Sequence, residues 1–195
     1  MSIIIRACIE DGTIPDYICN PCEAGENGRV RGAAYIDKSL KAAITEANIA
    51  SETWWAQHIE SGKIKIIPNT RGTFDGGTKK TVTGFGDDKE KIIGKTFAAV
   101  VNDINHTGNE GFYEALENNY KDYIFAFRTK NELRVATDVM TGLEVKDAVE
   151  EDTDTTVVWQ ANITWDQNAP KMLVPVYLLT DAVKKLFTAC VEIDE

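Results

Sequence analysis

The stretch "TVVWQANITWD", residues 156–166, constrains this chain more than any other. Val157, Trp159, Ala161, Ile163 and Trp165 share one parity, while Val158, Gln160, Asn162 and Thr164 share the other. Strict period two with large apolar groups on one side predicts a β-strand with one buried face. A lone strand is not stable in water, so the chain must supply partners. The best are in "DYIFAFRTKNELRVATD" (122–138), which reads as a hairpin around "TKNE". Further strands are expected in "RVRGAAYID" (29–37), in "KIKIIPN" (63–69) ended by Pro68, and in "KEKIIGKTFAAVVND" (89–103), where Gly94 suggests a bulge. "SIIIRACIE" (2–10) and "KMLVPVYLL" (171–179) complete the set.

Between these runs lie short helix signals. "SETWWAQHIESGK" opens on Ser51, a natural N-cap, carries Glu52 in its first turn and stops at Gly62. "GNEGFYEALENNYKD" places Phe112, Leu116 and Tyr120 on one helical face. "SLKAAITEANIA" is Ala-rich and helical in character, and "TDAVKKLFTAC" reads as a last helix capped by Thr180. Residues 10–28 and 71–86 are rich in glycine or proline and are expected as extended loops or arms, the second a mobile hairpin. "EVKDAVEEDTD" (144–154) reads as a polar, acidic link. The pattern lacks the alternating βα rhythm of a doubly wound sheet. It predicts one β-rich α+β domain over 1–195, an antiparallel β-sandwich or barrel with two to four short flanking helices and long loops.

The 195 residues hold 21 basic against 31 acidic side chains, a net charge of −10. That is the wrong sign for gripping nucleic acid through its phosphates, although an acidic surface can repel a polyanion and prevent adhesion. No apolar run reaches the roughly 18 residues of a spanning helix, and the opening "MSIIIRACIEDG" lacks a signal-peptide core. The expectation is a soluble protein made in the cytoplasm, with no membrane partner.

Candidate chemistry starts with the cysteines. Cys8, Cys19, Cys22 and Cys190 are four thiols, the number a tetrahedral zinc site takes. Such sites usually show two paired knuckles, and here only Cys19 and Cys22 are paired, so a turn around "NP" is favoured over zinc. Redox catalysis is disfavoured because an acidic loop, which raises thiol pKa, follows the pair where a helix N-terminus would lower it. Gly94-Lys95-Thr96 resembles the tail of a phosphate loop, but Lys89 stands where its first glycine should be. The two histidines, His58 and His106, neighbour no nucleophile pattern, and carboxylates are too common for any pair to be informative. The expectation is a non-enzymatic protein without cofactor. Trp159 and Trp165 are core, whereas adjacent Trp54 and Trp55 cannot both point inward, which suggests a subunit contact.

The order of elements in the second half resembles virion structural proteins of tailed phages and prophages, most of all major tail or tail-tube proteins. That order runs "GTFDGGTKKTVTGFG", "KIIGKTFAAVVND", "NEGFYEALENNY", "YIFAFRTKNELRVATD", "TVVWQANITWD" and a Pro-containing close, and "GRVRGAAYID" adds to it. The resemblance implies a β-barrel or sandwich subunit that closes into stacked, six-fold rings in the virion tail. DNA would pass through the lumen without specific binding, among copies of itself and other virion proteins. The segment Thr73 to Phe85, with Thr73, Phe74, Lys79, Lys80, Val82 and Phe85, would then carry subunit contacts, and deleting 74–83 should leave a folded subunit that no longer polymerises. Three other readings stay open: a head-tail connector ring or capsid decoration protein, a carbohydrate- or peptide-binding sandwich using exposed tryptophans, and a metalloprotein on the four thiols.

Overall fold

The computed structural model describes residues 29–83, 91–105, 108–148, 157–168 and 172–188. Strand β1 (Gly32–Asp37) leads through a 3-10 helix (Lys38–Ala43) to α1 (Glu46–Ile49) and α2 (Glu52–Glu60). Then come β2 (Ile64–Ile67), β3 (Arg71–Phe74), β4 (Thr78–Val82), β5 (Lys91–Asp103) and α3 (Glu110–Asn119). A 3-10 turn (Tyr120–Asp122) precedes β6 (Tyr123–Arg128), β7 (Glu132–Ala148), β8 (Val158–Asn168), β9 (Val176–Leu178) and α4 (Asp181–Leu186). This is a β-rich α+β fold with antiparallel pairing throughout.

The sheet runs β2-β1-β6-β7-β8-β5-β3, with β4 added on β5 and β9 on β7. Its ends meet. Asn69, at φ 55°, kinks the chain between β2 and β3, a conformation asparagine tolerates better than most residues. The kink is held from outside: Asn69 Nδ2 donates to the Thr188 carbonyl at 2.8 Å and its backbone N–H to Phe187 O at 3.3 Å. Beyond it β3 lies along β5, yet Gly72 O still accepts from Val30 N at 3.3 Å, just ahead of β1. That bridge closes six strands, β1-β6-β7-β8-β5-β3, into a barrel. Gly72 permits it, because a Cβ there would stand 2.0 Å from Val100 O.

The interior is aromatic. Phe74 lies parallel to Phe97 (5.9 Å between centroids) and to Trp165 (5.8 Å), and touches Phe127 at 5.0 Å from the opposite wall. Phe125 joins Trp165 at 5.6 Å and Tyr35 at 5.8 Å, so rings from β1, β3, β5, β6 and β8 share one cluster. The period-two stripe of β8 is buried from Trp159 to Trp165 and runs on to Gln167, while Val157 is partly exposed. With its oxygen toward Thr137, the Gln167 amide accepts from Thr137 N at 3.0 Å and Oγ1 at 3.1 Å and donates to Leu173 O at 3.1 Å. In that amide orientation the polar residue that ends the stripe has both its oxygen and its nitrogen partnered.

Helices cover the outer face of β1. Ser51 caps α2 through Trp54 N, and Gly62 (φ 72°) ends it as its sequence predicts. Trp55 is buried, packs edge-on against Phe187 of α4 at 5.4 Å and donates its indole N–H to Ile49 O at 2.9 Å. Thr180 caps α4 at Val183 N. On α3 and the turn after it the expected face packs on the core, Leu116 buried and Phe112 and Tyr120 half-buried, and it widens to take in buried Tyr113. The cause lies beneath the helix: Tyr113 stacks on Trp159 at 5.1 Å and donates its hydroxyl to Asp103 Oδ2 at 2.8 Å.

Two further expectations change. Residues 71–82 are not a hairpin or loop but two strands that both pair with β5, at opposite ends of its length. The presumed link from Glu144 to Ala148 is strand, the far end of β7. Glu144 and Lys146 pair with Asn162 and Gln160, while Leu143 and Val145 pair with buried Ile163 and Ala161, so its polarity marks only the outer face. "SIIIRACIE" and the loop 10–28 lie outside the described residues.

Trp165→Ala is expected to cost about 3–5 kcal/mol, the range for truncating a large core aromatic, read from urea unfolding. Trp165→Phe keeps a ring and removes a buried indole N–H that has no partner among the described residues, so it should cost distinctly less. Equal losses from the two substitutions would show that the stack does not hold the barrel.

Candidate functional site

The residues predicted to meet neighbouring subunits separate sharply. Phe74 packs among the rings of the barrel interior and stays partly exposed, while Trp55 is fully buried in the core beneath α4. Trp54 is half-buried, edge-on to Trp55 at 5.5 Å and to His58 at 4.9 Å. Thr73, Lys79 and Val82 are exposed, and Lys80 is half-buried. Phe85, His106 and the four cysteines, Cys8, Cys19, Cys22 and Cys190, lie outside the described residues. Among the described residues no group of three or more His, Cys, Asp or Glu side chains is placed to hold a metal.

The exposed members lie on a two-stranded ribbon. Among the described residues β4 pairs only with β5, from Thr78 opposite Thr96 to Val82 opposite Lys91. β8 pairs with β5 from Gly94 to Asp103, so beyond Gly94 the described pairing is β4 with β5 alone. The register slips between Lys80 and Thr81, which face Gly94 and Ile92 and leave Ile93 as the extra residue of a bulge. This is the bulge that Gly94 suggested. Val82 is 49% exposed and Ile93 39% exposed, so the ribbon carries apolar groups into solvent.

A polar clasp roots the ribbon on the barrel. Lys80 Nζ donates to Asp166 Oδ2 at 2.7 Å, and Thr96 Oγ1 donates to Asp166 Oδ1 at 2.6 Å. Lys80 first, then Thr96, holds the Asp166 carboxyl below the ordinary carboxylate range. At its inner end, Asp75 Oδ1 accepts from Gly77 N at 2.9 Å and Ala98 N at 3.0 Å, making the turn from β3 to β4. Gly77 sits there at φ 85°, where a Cβ would enter the Phe97 ring.

A second exposed edge was not anticipated. β9 pairs with Glu132–Arg134 of β7, and Leu173 is 72%, Val176 47% and Leu178 78% exposed around it. "KMLVPVYLL" is apolar on both parities, which sequence reading takes for burial on both faces. Pro175 is the signal to the contrary, since proline within a strand favours an edge position. Val174, Leu179 and half-buried Tyr177 point inward and hold the segment down.

One buried polar cluster has chemical character. Asp103 is 3% exposed and accepts the Tyr113 hydroxyl, Asn105 N at 2.9 Å and Asn105 Nδ2 at 3.0 Å. Burial, followed by the Asp103 charge, pushes the phenols of Tyr35 and Tyr113 well above their ordinary value. Both therefore stay protonated, and Tyr113 acts as a donor that latches α3 over the end of the barrel. Tyr113→Phe is expected to cost about 1–3 kcal/mol, because the buried carboxylate loses a donor; thermal melts would read this, and an unchanged midpoint would remove the latch.

The ribbon clasp carries a pH signature. Depressed in the fold, Asp166 contributes stability in full above its ordinary value, and that contribution is lost as pH falls through the depressed one. Lys80 and Asp166 keep 41% and 31% side-chain exposure, so the pair is worth at most about 1 kcal/mol. Asp166→Asn should lower stability slightly at neutral pH and match wild type at the acid end of a urea titration. A difference unchanged down to the acid limit would contradict this. Comparisons of the chain with protein-family models, with curated proteins and with solved structures find no match.

Proposed function

We propose that this chain is a non-enzymatic structural subunit that assembles with copies of itself, and that its setting is a tailed-phage virion, as a tail-tube ring. The observation that supports assembly is the pair of exposed strand edges, β4 and β9, with Val82, Ile93, Leu173, Val176 and Leu178 open to solvent. Strand edges pair readily with other strands, and soluble monomers normally blunt them with charge or cover them. Two different edges on one subunit suit head-to-tail contacts, which close into rings or continue into tubes. The net charge of −10 accords with a lumen that repels DNA and lets it slide. The virion setting rests on the resemblance in element order alone.

The glycan-binding alternative loses its main argument, because Trp55, Trp159 and Trp165 are buried and Trp54 is half-buried. A connector or decoration role would use the same edges and is separated by what the protein builds. Deleting 74–83 is no longer a clean test, since it removes Phe74 from the interior. Val82→Glu combined with Ile93→Glu changes only exposed positions and is expected to leave the melting profile intact while abolishing assembly. Native mass and negative-stain microscopy provide the readout. Hexamers or tubes from wild type support the tail-tube reading, a flat ring of other stoichiometry supports a connector, and a concentration-independent monomer sinks both.

A further inference from the structure

Arginine is unevenly placed in this acidic chain. Five of its six arginines, Arg29, Arg31, Arg71, Arg128 and Arg134, come together where β1, β3, β6 and β7 form one end of the barrel. Arg31 N donates to Arg128 O at 2.8 Å, Phe127 pairs with Arg134, and the Val30–Gly72 bridge sets Arg29 and Arg71 on the same rim. Two of the five, Arg29 and Arg134, line a recess of about 370 Å³ with Thr73 and Thr129, beside Phe74 and Phe127, and Arg31 and Arg71 neighbour it in the chain. Glu132 Oε2 pairs with Arg134 Nη2 at 3.2 Å. The Nε atoms of Arg31 and Arg134 are buried without a hydrogen-bond partner among the described residues. A buried guanidinium N–H left unpaired is costly, and the one Arg134 holds at the recess is matched best by a bidentate oxyanion.

From this geometry we infer that the arginine recess is a docking site for carboxylates of the acidic segment 10–28 of a second copy of this chain. That segment carries Glu10, Asp11, Asp16, Glu23 and Glu26 and no lysine or arginine, the complement of the rim in charge. A donor segment and a different receptor surface on one chain make a heterologous contact, the kind that builds rings. Nucleic acid is the competing polyanion, but a body with ten surplus negative charges repels a duplex over its whole length, whereas a short peptide meets the rim alone. The inference deepens the assembly reading and rests on it only for self-association, not for the tube.

The test uses full-length chains with reversed charges. A rim variant, Arg31→Glu with Arg134→Glu, and an arm variant, Glu23→Lys with Glu26→Lys, should each lose assembly by native mass while keeping wild-type circular dichroism. Mixed in equal amounts they should assemble again, since each then offers the other a complementary partner. If the partly buried rim positions disturb folding, Arg29→Glu with Arg71→Glu, both exposed, replaces them. A labelled peptide of residues 10–28 should bind the arm variant, whose own segment cannot compete, and lose about tenfold or more affinity on the rim variant, with a steep salt dependence. Assembly unaffected by either reversal, or no recovery in the mixture, overturns the proposal. So does a rim that binds a DNA duplex and ignores the peptide. A wild-type chain that never assembles counts against the assembly reading, and the peptide titration still decides the recess.

Discussion

The stack of Phe74 between Phe97, Trp165 and Phe127 is the contact on which the rest of the structure depends. β3 is only four residues long and meets β1 through one bridge, so hydrogen bonding alone holds that seam weakly. What keeps β3 in place is a large ring from its last residue, packed against walls contributed by β5, β6 and β8. Aromatic burial of this extent outweighs a missing row of ladder bonds, each worth about 1 kcal/mol net. Once the seam is shut, the barrel has a defined end, and the arginines of the strands that meet there are forced into proximity. The same closure places β4 where it can pair only with the outer part of β5.

Much of this was legible in local signals. The β8 stripe, the hairpin from β6 to β7, the caps at Ser51 and Thr180 and the bulge beside Gly94 follow from periodicity and backbone chemistry, and each is found where it was expected. The errors share one cause: the burial of a residue depends on what lies across from it. "GTFD" reads as a glycine-rich loop until Phe97 and Trp165 stand opposite Phe74, and the α3 face widens to Tyr113 because Trp159 and Asp103 are beneath it. Glu144 and Lys146 disguise a strand because one of its faces meets water. The alternation Leu143, Glu144, Val145, Lys146 was nevertheless present to be counted.

The surface was harder to read than the core, for a physical reason. A buried stripe repeats with the period of its element, whereas a functional rim is assembled from residues far apart in sequence. Arg31, Arg71, Arg128 and Arg134 fall on four different segments, and nothing local links them. Only register does so, through Gly32 opposite Arg128, Phe127 opposite Arg134 and Val30 opposite Gly72. The pair Trp54 and Trp55 shows the same dependence. Adjacent helical positions diverge by about 100°, so one was certain to turn inward, and Phe187, distant in sequence, decided which.

Net charge and local charge then act on different scales. A body at −10 repels copies of itself at long range, and screening confines that repulsion to about 8–10 Å in physiological salt. Within that distance exposed apolar edges alone would associate in many registers, because strand pairing and hydrophobic contact discriminate poorly between them. A cationic recess in an otherwise acidic surface adds a term that is favourable in one alignment and unfavourable in most others. In the assembly proposed above the edges would supply affinity, the overall charge would set how close copies approach without aligning, and the arginine rim would select which approach becomes a contact.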